Sequence, residues 1–566
     1  MIHCRSVSFT YPGRLSPSIR DIDIRVEPGT SVLLAGPTGC GKSTLLRTIN
    51  GLIPHATRGV LRGEVHVAGE SVATVPLYKH CRRVGSVYQN PDDQTLHTWV
   101  EDEVAFALQN LGHDRALIHR RIDEALDWVG LSGFRHRTVH ELSGGQRQRV
   151  ALAAVCAPLP SLLLLDEPVS QLDPAGTAAI LSTIQDLRNR HSLTILFVDH
   201  RTESAMPFTE RVIVLVEGSK VGDVLWREVC RDPKVLSKYG VEVSDLLEVA
   251  ERLGCCDPIH RPDDLARWMV QRESGGGGGV PSLSKGSRHA GRAKPLESPL
   301  AALGDQVLVC RGVGYRYSKR YPPALCDVSL AFREGESVAV IGENGSGKTT
   351  LLMILAGVFR PQGGVIERPL PCGPRGFFSA IVAQNSDLML QADSVADEIA
   401  FGLRCRGVPE DIIRRRVGNA LESFRLAEFA DDPPFALSQG QRQRVAIASA
   451  FALSPQALFL DEPTTGQDRR HIDLCMTAVR KHYVANGGCL VFCTHDLRTA
   501  VHYADRTLVL KEGRVLADGP VMDVISREET VLSAGHFLPP LAEVSRALGG
   551  PLTLTANQFL EIHGSR

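Results

Sequence analysis

The stretch Ser31-Val-Leu-Leu-Ala-Gly-Pro-Thr-Gly-Cys-Gly-Lys-Ser43 combines a short apolar run with a glycine-rich turn that ends in Lys42 and Ser43. The run 31–35 is aliphatic and predicts a buried strand. Glycines let successive backbone N–H groups converge on one anion, and a helix that begins directly after them adds its dipole. The pattern G-x-x-x-x-G-K-[ST] therefore predicts a phosphate-binding loop between a strand and a helix.

A second copy of this pattern lies in the other half of the chain. Gly342-Glu-Asn-Gly-Ser-Gly-Lys-Thr349 follows the apolar run 337–341, and Lys348 lies 306 residues after Lys42 (348 − 42). Tyr11 and Tyr317 are separated by the same interval. Five later pairs share an offset of 295: Gln89 and Gln384, Ser143 and Ser438, Asp166 and Asp461, Asp173 and Asp468, His200 and His495. One net deletion of 11 residues (306 − 295) relates the halves, which indicates a tandem duplication.

A glycine-rich stretch separates the two copies. Ser274-Gly-Gly-Gly-Gly-Gly279 is typical of a flexible coil. The length of 566 residues also exceeds what one hydrophobic core supports. We therefore expect one domain over residues 1–272, a flexible linker over 273–304 and a second domain over 305–566, with a short helical tail at the end of each domain.

Composition limits the classes of function. The chain has 63 Lys+Arg against 64 Asp+Glu, so nothing favours non-specific binding to nucleic acid or to an anionic membrane, and no nucleic-acid partner is expected. No apolar run approaches the ~20 residues that span a bilayer. The 14 cysteines contain no Cys-x-x-Cys pair and are interpreted as reduced thiols. We therefore expect a chain that is either cytosolic or held at a membrane only through partners.

Alternation of apolar runs and helical stretches predicts the fold class. Leu162–Leu165 and Leu193–Val198 are typical of buried strands, and 174–190 between them is typical of a helix. Such alternation predicts an α/β fold with a parallel sheet in each half. Mostly helical stretches, for example 115–129 and 410–424, predict a separate helical lobe.

The two glycine-rich loops supply the first candidates for binding a nucleotide. Lys42 and Lys348 would reach the β- and γ-phosphates, and Ser43 and Thr349 would ligate Mg²⁺. An ordinary glycine turn is the alternative, but two copies, each between a strand and a helix, disfavour it. The candidates are Gly36, Pro37, Thr38, Gly39, Cys40, Gly41, Lys42, Ser43 and Thr44, and Gly342, Glu343, Asn344, Gly345, Ser346, Gly347, Lys348, Thr349 and Thr350.

Adjacent acids follow a buried strand in each half. Asp166-Glu167-Pro and Asp461-Glu462-Pro place two carboxylates at a strand's carboxyl end. The aspartates would hold Mg²⁺ through its water shell, and the glutamates would polarise the attacking water. The alternative is a pair of solvated acids that cap a strand. The phosphate loops favour the catalytic interpretation.

Leu142-Ser-Gly-Gly-Gln146 and Leu437-Ser-Gln-Gly-Gln441 complete the pattern, because each serine occupies an N-cap-like position that offers another anion site. Here the sequence resembles the ATP-binding cassette (ABC) ATPases over nearly all of both halves. The resemblance implies two tandem P-loop domains, each with a parallel-sheet core, a small β subdomain and a helical lobe. It also implies that Ser143, Gly145, Ser438 and Gly440 bind the γ-phosphate of a nucleotide held by the opposite cassette.

The same resemblance assigns the remaining positions. Gln89 and Gln384 match the glutamine loop, which senses γ-phosphate and Mg²⁺. Asp173 and Asp468 match the loop that crosses the dimer interface, and His200 and His495 match the switch histidine. Tyr11 and Tyr317 match the aromatic residue that stacks on adenine, with a core tyrosine as the alternative.

The resemblance implies two composite sites for ATP and Mg²⁺. One would combine Lys42, Asp166, Glu167 and His200 with Ser438, and the other would combine the second set with Ser143. The cassettes would pair within the chain or between two copies. Gln439 replaces a signature glycine, so reduced function is expected at the site that contains it.

Loop sequences resemble the energy-coupling-factor (ECF) branch of importer ATPases. Val87-Tyr-Gln-Asn-Pro-Asp-Asp-Gln94 and Val100-Glu-Asp-Glu-Val-Ala-Phe-Ala107 carry this likeness, with a weaker copy around Gln384 and 395–402. It implies a scaffold subunit and a substrate-binding subunit in the membrane, uptake of vitamins or transition-metal ions, and a position on the cytoplasmic face. The alternatives are a sugar-type importer ATPase, a soluble factor acting on ribosomes and a non-catalytic scaffold.

Overall fold

We describe the chain from a computed structural model. The structure describes residues 1–566 except 15, 171, 173, 200–201, 256, 258, 260, 274–304, 319–321, 369–377, 465–466, 468, 537 and 564–566. Three of the predicted site residues, Asp173, His200 and Asp468, lie outside the described residues, as does the predicted linker from 274 onwards.

The chain divides into two compact units. The first unit is Met1–His260 with the short segment Thr465–Arg469, and the second is Arg261–Thr464 with Arg470–Arg566. Among the residues that the structure describes, no helix combines the length and the apolar composition that a bilayer crossing needs.

The first unit contains these elements in chain order: β1 (Ile2–Thr10), β2 (Ile19–Val26), β3 (Ser31–Ala35), α1 (Lys42–Ile49), α2 (Leu52–His55), β4 (Val60–Val67), β5 (Glu70–Ser71), α3 (Leu77–His80), β6 (Val84–Val87), α4 (Val100–Asn110), α5 (Arg115–Trp128), α6 (Gly144–Cys156), β7 (Leu162–Asp166), α7 (Pro174–His191), β8 (Thr194–Val198), α8 (Thr202–Ala205), β9 (Arg211–Val216), β10 (Ser219–Leu225), α9 (Trp226–Arg231), α10 (Lys234–Ser237) and α11 (Asp245–Arg252).

A six-stranded sheet in the order β10-β9-β3-β8-β7-β6 forms the centre of the first unit. Its pairs are parallel except the edge hairpin of β9 and β10. Strands β3 and β8 are buried at every residue, as expected for parallel strands with both faces covered. The order places β3 and β7 on either side of β8, so the loops that follow them open at the same edge of the sheet.

Two further layers complete the first unit. An antiparallel sheet in the order β2-β1-β4-β5 forms the small β subdomain, and its inward side chains, among them Phe9 and Ile22, are fully buried. Helices α4, α5 and α6 pack on one another as a helical lobe, through buried residues such as Val104, Ile122 and Val150. The predicted fold class is confirmed by this arrangement.

The second unit repeats the design with these elements: α12 (Pro262–Glu273), β11 (Gln306–Tyr315), β12 (Leu325–Arg333), β13 (Ser337–Ile341), α13 (Lys348–Leu355), β14 (Gly363–Glu367), β15 (Ser379–Val382), α14 (Val395–Cys405), α15 (Glu410–Ser423), α16 (Gln439–Ala452), β16 (Ala457–Asp461), α17 (Arg469–His482), β17 (Cys489–Cys493), α18 (Leu497–Tyr503), β18 (Arg506–Lys511), β19 (Arg514–Pro520), α19 (Val521–Ile525), α20 (Glu528–Ser533), α21 (Pro540–Ala547) and α22 (Ala556–His563).

Its central sheet has the order β15-β16-β17-β13-β18-β19, again parallel except for the β18–β19 hairpin. A smaller antiparallel sheet, β12-β11-β14, and the lobe of α14, α15 and α16 match the layers of the first unit. Helix α12, the first element of this unit, packs against α21 near the end of the unit.

Candidate functional site

The glycines of the phosphate loop are required by its geometry. Gly36 has φ 147°, and a Cβ at this position would lie 2.1 Å from the carbonyl oxygen of Leu215. Gly342 has φ 153°, and a Cβ there would lie 2.2 Å from the carbonyl oxygen of Leu510. These distances leave no room for a side chain, because the loop crosses directly over the next strand of the sheet.

Each loop lysine is buried and held by its own loop. Lys42 Nζ donates to the carbonyl oxygens of Gly36 at 2.8 Å and Pro37 at 3.0 Å. Lys348 Nζ donates equivalently to Gly342 at 2.7 Å and Glu343 at 3.0 Å. Each is also the first residue of a helix, α1 or α13. The loops therefore combine a fixed ammonium with a helix N-terminus, which together favour an anion.

The remaining predicted loop residues occupy the same two turns between strand and helix. The side chain of Cys40, a residue of the first loop, is only 4% exposed, and burial raises the pKa of its thiol. Ser346 takes the matching buried position in the second loop. The other residues brought together here are Thr38, Gly39, Gly41, Ser43 and Thr44, and Asn344, Gly345, Gly347, Thr349 and Thr350.

A hydroxyl and a carboxylate meet beside the second phosphate loop. Thr349 Oγ1 donates to Asp461 Oδ2 at 2.8 Å. Burial raises the pKa of Asp461, and the bond from Thr349 opposes this shift. A buried carboxylate next to a hydroxyl forms a set of hard oxygen donors, which is the ligand type that Mg²⁺ prefers. These residues therefore fit the predicted magnesium site, and Ser43 and Asp166 occupy the matching places in the first unit.

The two glutamates after the acid-bearing strands share an uncommon backbone conformation. Glu167 has φ 48° and Glu462 has φ 52°, both in the left-handed region that non-glycine residues rarely adopt. In the first unit the backbone N–H of Glu167 donates to Val198 at 3.0 Å, which ties this turn to β8. Strained backbone of this kind clusters at active sites, where the surrounding structure fixes it.

The described partners of the two glutamates differ. In the first unit Gln89 Nε2 donates to Glu167 Oε2 at 2.8 Å. In the second unit His495 Nε2 lies 2.9 Å from Glu462 Oε1, while Gln384 is exposed. Burial acts to raise the pKa of Glu462, but His495 and Lys348 outweigh it, so the pKa of Glu462 is lowered. The second unit therefore brings the predicted histidine and the predicted glutamate into direct contact.

Each Leu-Ser segment begins a capped helix. The Ser143 hydroxyl accepts from Gln146 N at 3.3 Å, and Gln146 Oε1 accepts from Ser143 N at 3.0 Å. Ser438 makes the same reciprocal bonds with Gln441. The two serines have nearly identical φ and ψ, −65° and 160° against −65° and 158°. Gln439 is the first residue of α16, so it leaves the cap geometry unchanged.

Each predicted aromatic residue hydrogen-bonds to the helix that follows the phosphate loop. The hydroxyls of Tyr11 and Thr44 lie 3.3 Å apart, and those of Tyr317 and Thr350 lie 3.0 Å apart. Tyr317 is 58% exposed, whereas Tyr11 packs partly against the core. The exposed ring of Tyr317 fits the predicted role of a surface on which adenine stacks. Tyr11 has the equivalent position beside the loop helix, but its ring also packs partly against the core.

Sequence reasoning missed one segment beside the second phosphate loop. Gly535 packs so closely on Glu343 that a Cβ there would lie 2.2 Å from Glu343 Cγ. The buried ring of His536 lies 6.0 Å from the ring of His495. The 295-residue offset pairs His536 with Val241, so aligning the two tails would have revealed a histidine that replaces an aliphatic residue.

Comparison with known proteins identifies the family. The family model described as ABC transporter matches residues 19–170 and again residues 325–465. An ABC transporter ATP-binding protein of Methanosarcina mazei is 38% identical over 559 residues, which cover 97% of this chain and 94% of that protein. Another, from Caldanaerobacter subterraneus subsp. tengcongensis, is 34% identical, with 94% of this chain and 93% of that protein covered.

Among solved structures, cbiO1 from Clostridium perfringens, described as part of the ABC transporter complex cbiONQ, is 33% identical. It covers 40% of this chain and 94% of its own, with a TM-score of 0.36. The chain belongs to the ABC transporter family, on the evidence of the family model and the full-length relatives. Within that family it is an ATP-binding subunit with two cassettes in tandem.

Proposed function

We propose that this chain binds and hydrolyses ATP at two sites and thereby drives an importer of the ECF type through subunits in the membrane. The observation that carries the proposal is the repetition of one complete set of groups. Each unit has a buried loop lysine, a strand-end aspartate and glutamate, and a capped Leu-Ser helix.

The residues divide the chemistry of hydrolysis between them. Lys42 and Lys348 bind the phosphates, and the helix that starts at each lysine adds its dipole. Thr349 and Asp461, and their counterparts Ser43 and Asp166, would hold Mg²⁺, which would neutralise charge on the phosphates. Glu462 accepts a hydrogen bond from the attacking water, and its lowered pKa keeps it ionised for that role. His495, 2.9 Å from Glu462, holds the carboxylate and faces the γ-phosphate.

The resemblance to ABC ATPases supports composite sites, in which each nucleotide would be bound by the phosphate loop of one cassette and the Leu-Ser helix of another. The reciprocal bonds of Ser143 and Ser438 fix the first turn of each helix, and a helix N-terminus favours an anion. Binding of two ATP molecules would close the cassettes, and hydrolysis would release them. The resemblance also assigns Asp173, Asp468 and His200 to these sites.

Exposed apolar side chains support a docking surface for membrane subunits. Leu96, Trp99 and Phe106 are 68%, 49% and 38% exposed in the segment after Gln89. The second unit exposes Leu388 and Phe401 in the corresponding segment, at 84% and 42%. Exposed apolar groups concentrated in one segment are typical of an interaction surface.

A buried carboxylate fixes each of these segments. Glu103 Oε2 accepts from the backbone of Leu96 at 2.9 Å and His97 at 2.8 Å. Glu398 Oε2 accepts from Gln391 and Ala392, both at 2.8 Å. The repeated glutamate of the two ECF-like segments therefore has a structural role, since it ties the exposed loop to the first turn of α4 or α14.

The proposal is tested by two measurements. ATP turnover of Glu167→Gln and Glu462→Gln variants should fall by a large factor in each case, with Tm unchanged. Capture of the tagged chain from detergent-solubilised membranes should recover small multi-span subunits. An unchanged rate in either variant would remove that site from the mechanism. Recovery with ribosomes, or with sugar-type permease subunits, would replace the ECF assignment.

A further inference from the structure

The tail of the second unit reaches the nucleotide site. After α20 ends at Ser533, Gly535 packs against the side chain of Glu343 in the phosphate loop. The next residue, His536, is 2% exposed, and its ring lies 6.0 Å from that of His495, with the ring planes tilted by 31°. One short turn of the tail therefore contacts both the phosphate loop and the predicted switch histidine.

The corresponding turn of the first unit has a glycine with matching φ, followed by a different side chain. Gly240 and Gly535 are related by the 295-residue offset, and both have left-handed φ, 75° and 73°. The residue after Gly240 is Val241, which is buried like His536. The two tails therefore provide a matched pair, in which only the second unit places an imidazole at this position.

We propose that His536 is a positioning residue that holds His495 and Glu462 in the arrangement needed for ATP hydrolysis in the second unit. The inference rests on the proposed hydrolytic function of that unit. His536 is not a catalytic residue, since it acts through His495, which lies 2.9 Å from Glu462. His495 therefore lies next to both the ring of His536 and the carboxylate of Glu462.

Burial is the physical reason for a polar role. A buried imidazole loses its hydration, and this loss costs free energy. Polar neighbours offset the cost, whereas apolar neighbours do not. A valine, as in the first unit, fills the same place without that cost. The polar groups near His536 include the ring of His495, at 6.0 Å, and His495 in turn lies 2.9 Å from the carboxylate of Glu462.

This arrangement predicts an effect on turnover rather than on affinity. His536 adjoins His495, whereas Lys348 Nζ is held by the carbonyl oxygens of Gly342 and Glu343, so nucleotide binding by Lys348 would continue without His536. A displaced His495 would misplace the group that faces the γ-phosphate, and misplacement of about 1 Å costs up to about 100-fold in rate. The loss would appear in kcat and leave KM nearly constant.

The test compares His536→Val, which installs the first unit's residue, with Glu462→Gln in the full chain. We expect His536→Val to lower kcat, and the logarithm of its fold loss should be at least half of that for Glu462→Gln. KM should stay within about twofold of wild type. His536→Gln, which keeps an N–H donor, should recover part of that rate. His563→Val is the control, because His563 is equally buried in the same tail, against Phe559.

The outcomes separate the inference from the proposed function. If Glu462→Gln lowers kcat and His536→Val does not, the positioning role is refuted and the hydrolytic site remains. If Glu462→Gln leaves turnover unchanged, both are refuted for this unit. Equal losses in His536→Val and His563→Val at equal shifts of Tm would show that His536 only stabilises the tail, which also refutes the inference.

Discussion

Replacing the lysine of the second phosphate loop tests the central physical claim about the site. Lys348→Met keeps most of the buried aliphatic stem and removes the ammonium that Gly342 and Glu343 hold at 2.7 and 3.0 Å. In the wild-type chain this cation is already fixed by its loop, so under the proposed function it would bind phosphate without further ordering. The variant should therefore lose nucleotide affinity while it keeps its fold.

The size of the loss follows from the interaction removed. A hydrogen bond to a charged group contributes about 1.5–3 kcal/mol. At about 1.4 kcal/mol per tenfold change, the Kd for ATP at this site should rise between about 10- and 150-fold. The first unit has its own lysine, Lys42, so one tight site should remain in Lys348→Met.

Equilibrium titration with a fluorescent ATP analogue measures this directly. Wild type should bind two equivalents, Lys348→Met and Lys42→Met one tight equivalent each, and the double variant none. Lys481→Ala, a change of an exposed lysine on α17, is the control and should bind as wild type does. Two tight equivalents in Lys348→Met would refute the assignment of this lysine to the phosphates.

Two further predictions follow from the loops. Gln439→Gly should raise ATP turnover by less than about tenfold, which corresponds to about 1.4 kcal/mol of activation free energy, because Gln439 leaves the Ser438 cap intact. Steady-state ATPase rates measure this effect. A rate lower than that of wild type would contradict the prediction. Because burial raises the pKa of Cys40, the fraction of reactive thiolate is small at pH 8 and grows as pH rises. Alkylation followed by mass spectrometry should show that Cys40 reacts more slowly than exposed Cys405. Equal rates at pH 8 would contradict this prediction.

Much of the fold was predictable because the signals are local. The predicted strand Ser31–Ala35 matches β3 residue for residue, and the helix expected after the glycines begins at Lys42. Both follow from an apolar run that meets glycines within a few residues. The helical lobe was predictable for the same reason. Helix α5 (Arg115–Trp128) differs from the predicted stretch, 115–129, only at its last residue.

The rest of the site depends on contacts distant in sequence. The left-handed φ of Glu167 and Glu462 arises where the turn after a strand is tied to a neighbouring strand, and no pattern in Asp-Glu-Pro reveals it. The contact of His495 with Glu462 joins residues that follow the neighbouring strands β17 and β16. The approach of Gly535 to Glu343 joins residues almost 200 positions apart, and it depends on how the tail packs.

The buried glutamates Glu103 and Glu398 have a mechanical consequence. Each accepts two backbone hydrogen bonds, and breaking both would cost about 3–6 kcal/mol, several times the thermal energy. A force applied to exposed Trp99 therefore cannot bend the segment alone and must displace α4 with it. We therefore expect the exposed segment and α4 to move as one rigid body. A small rotation of the helix within the cassette would then displace the exposed side chains by a corresponding distance.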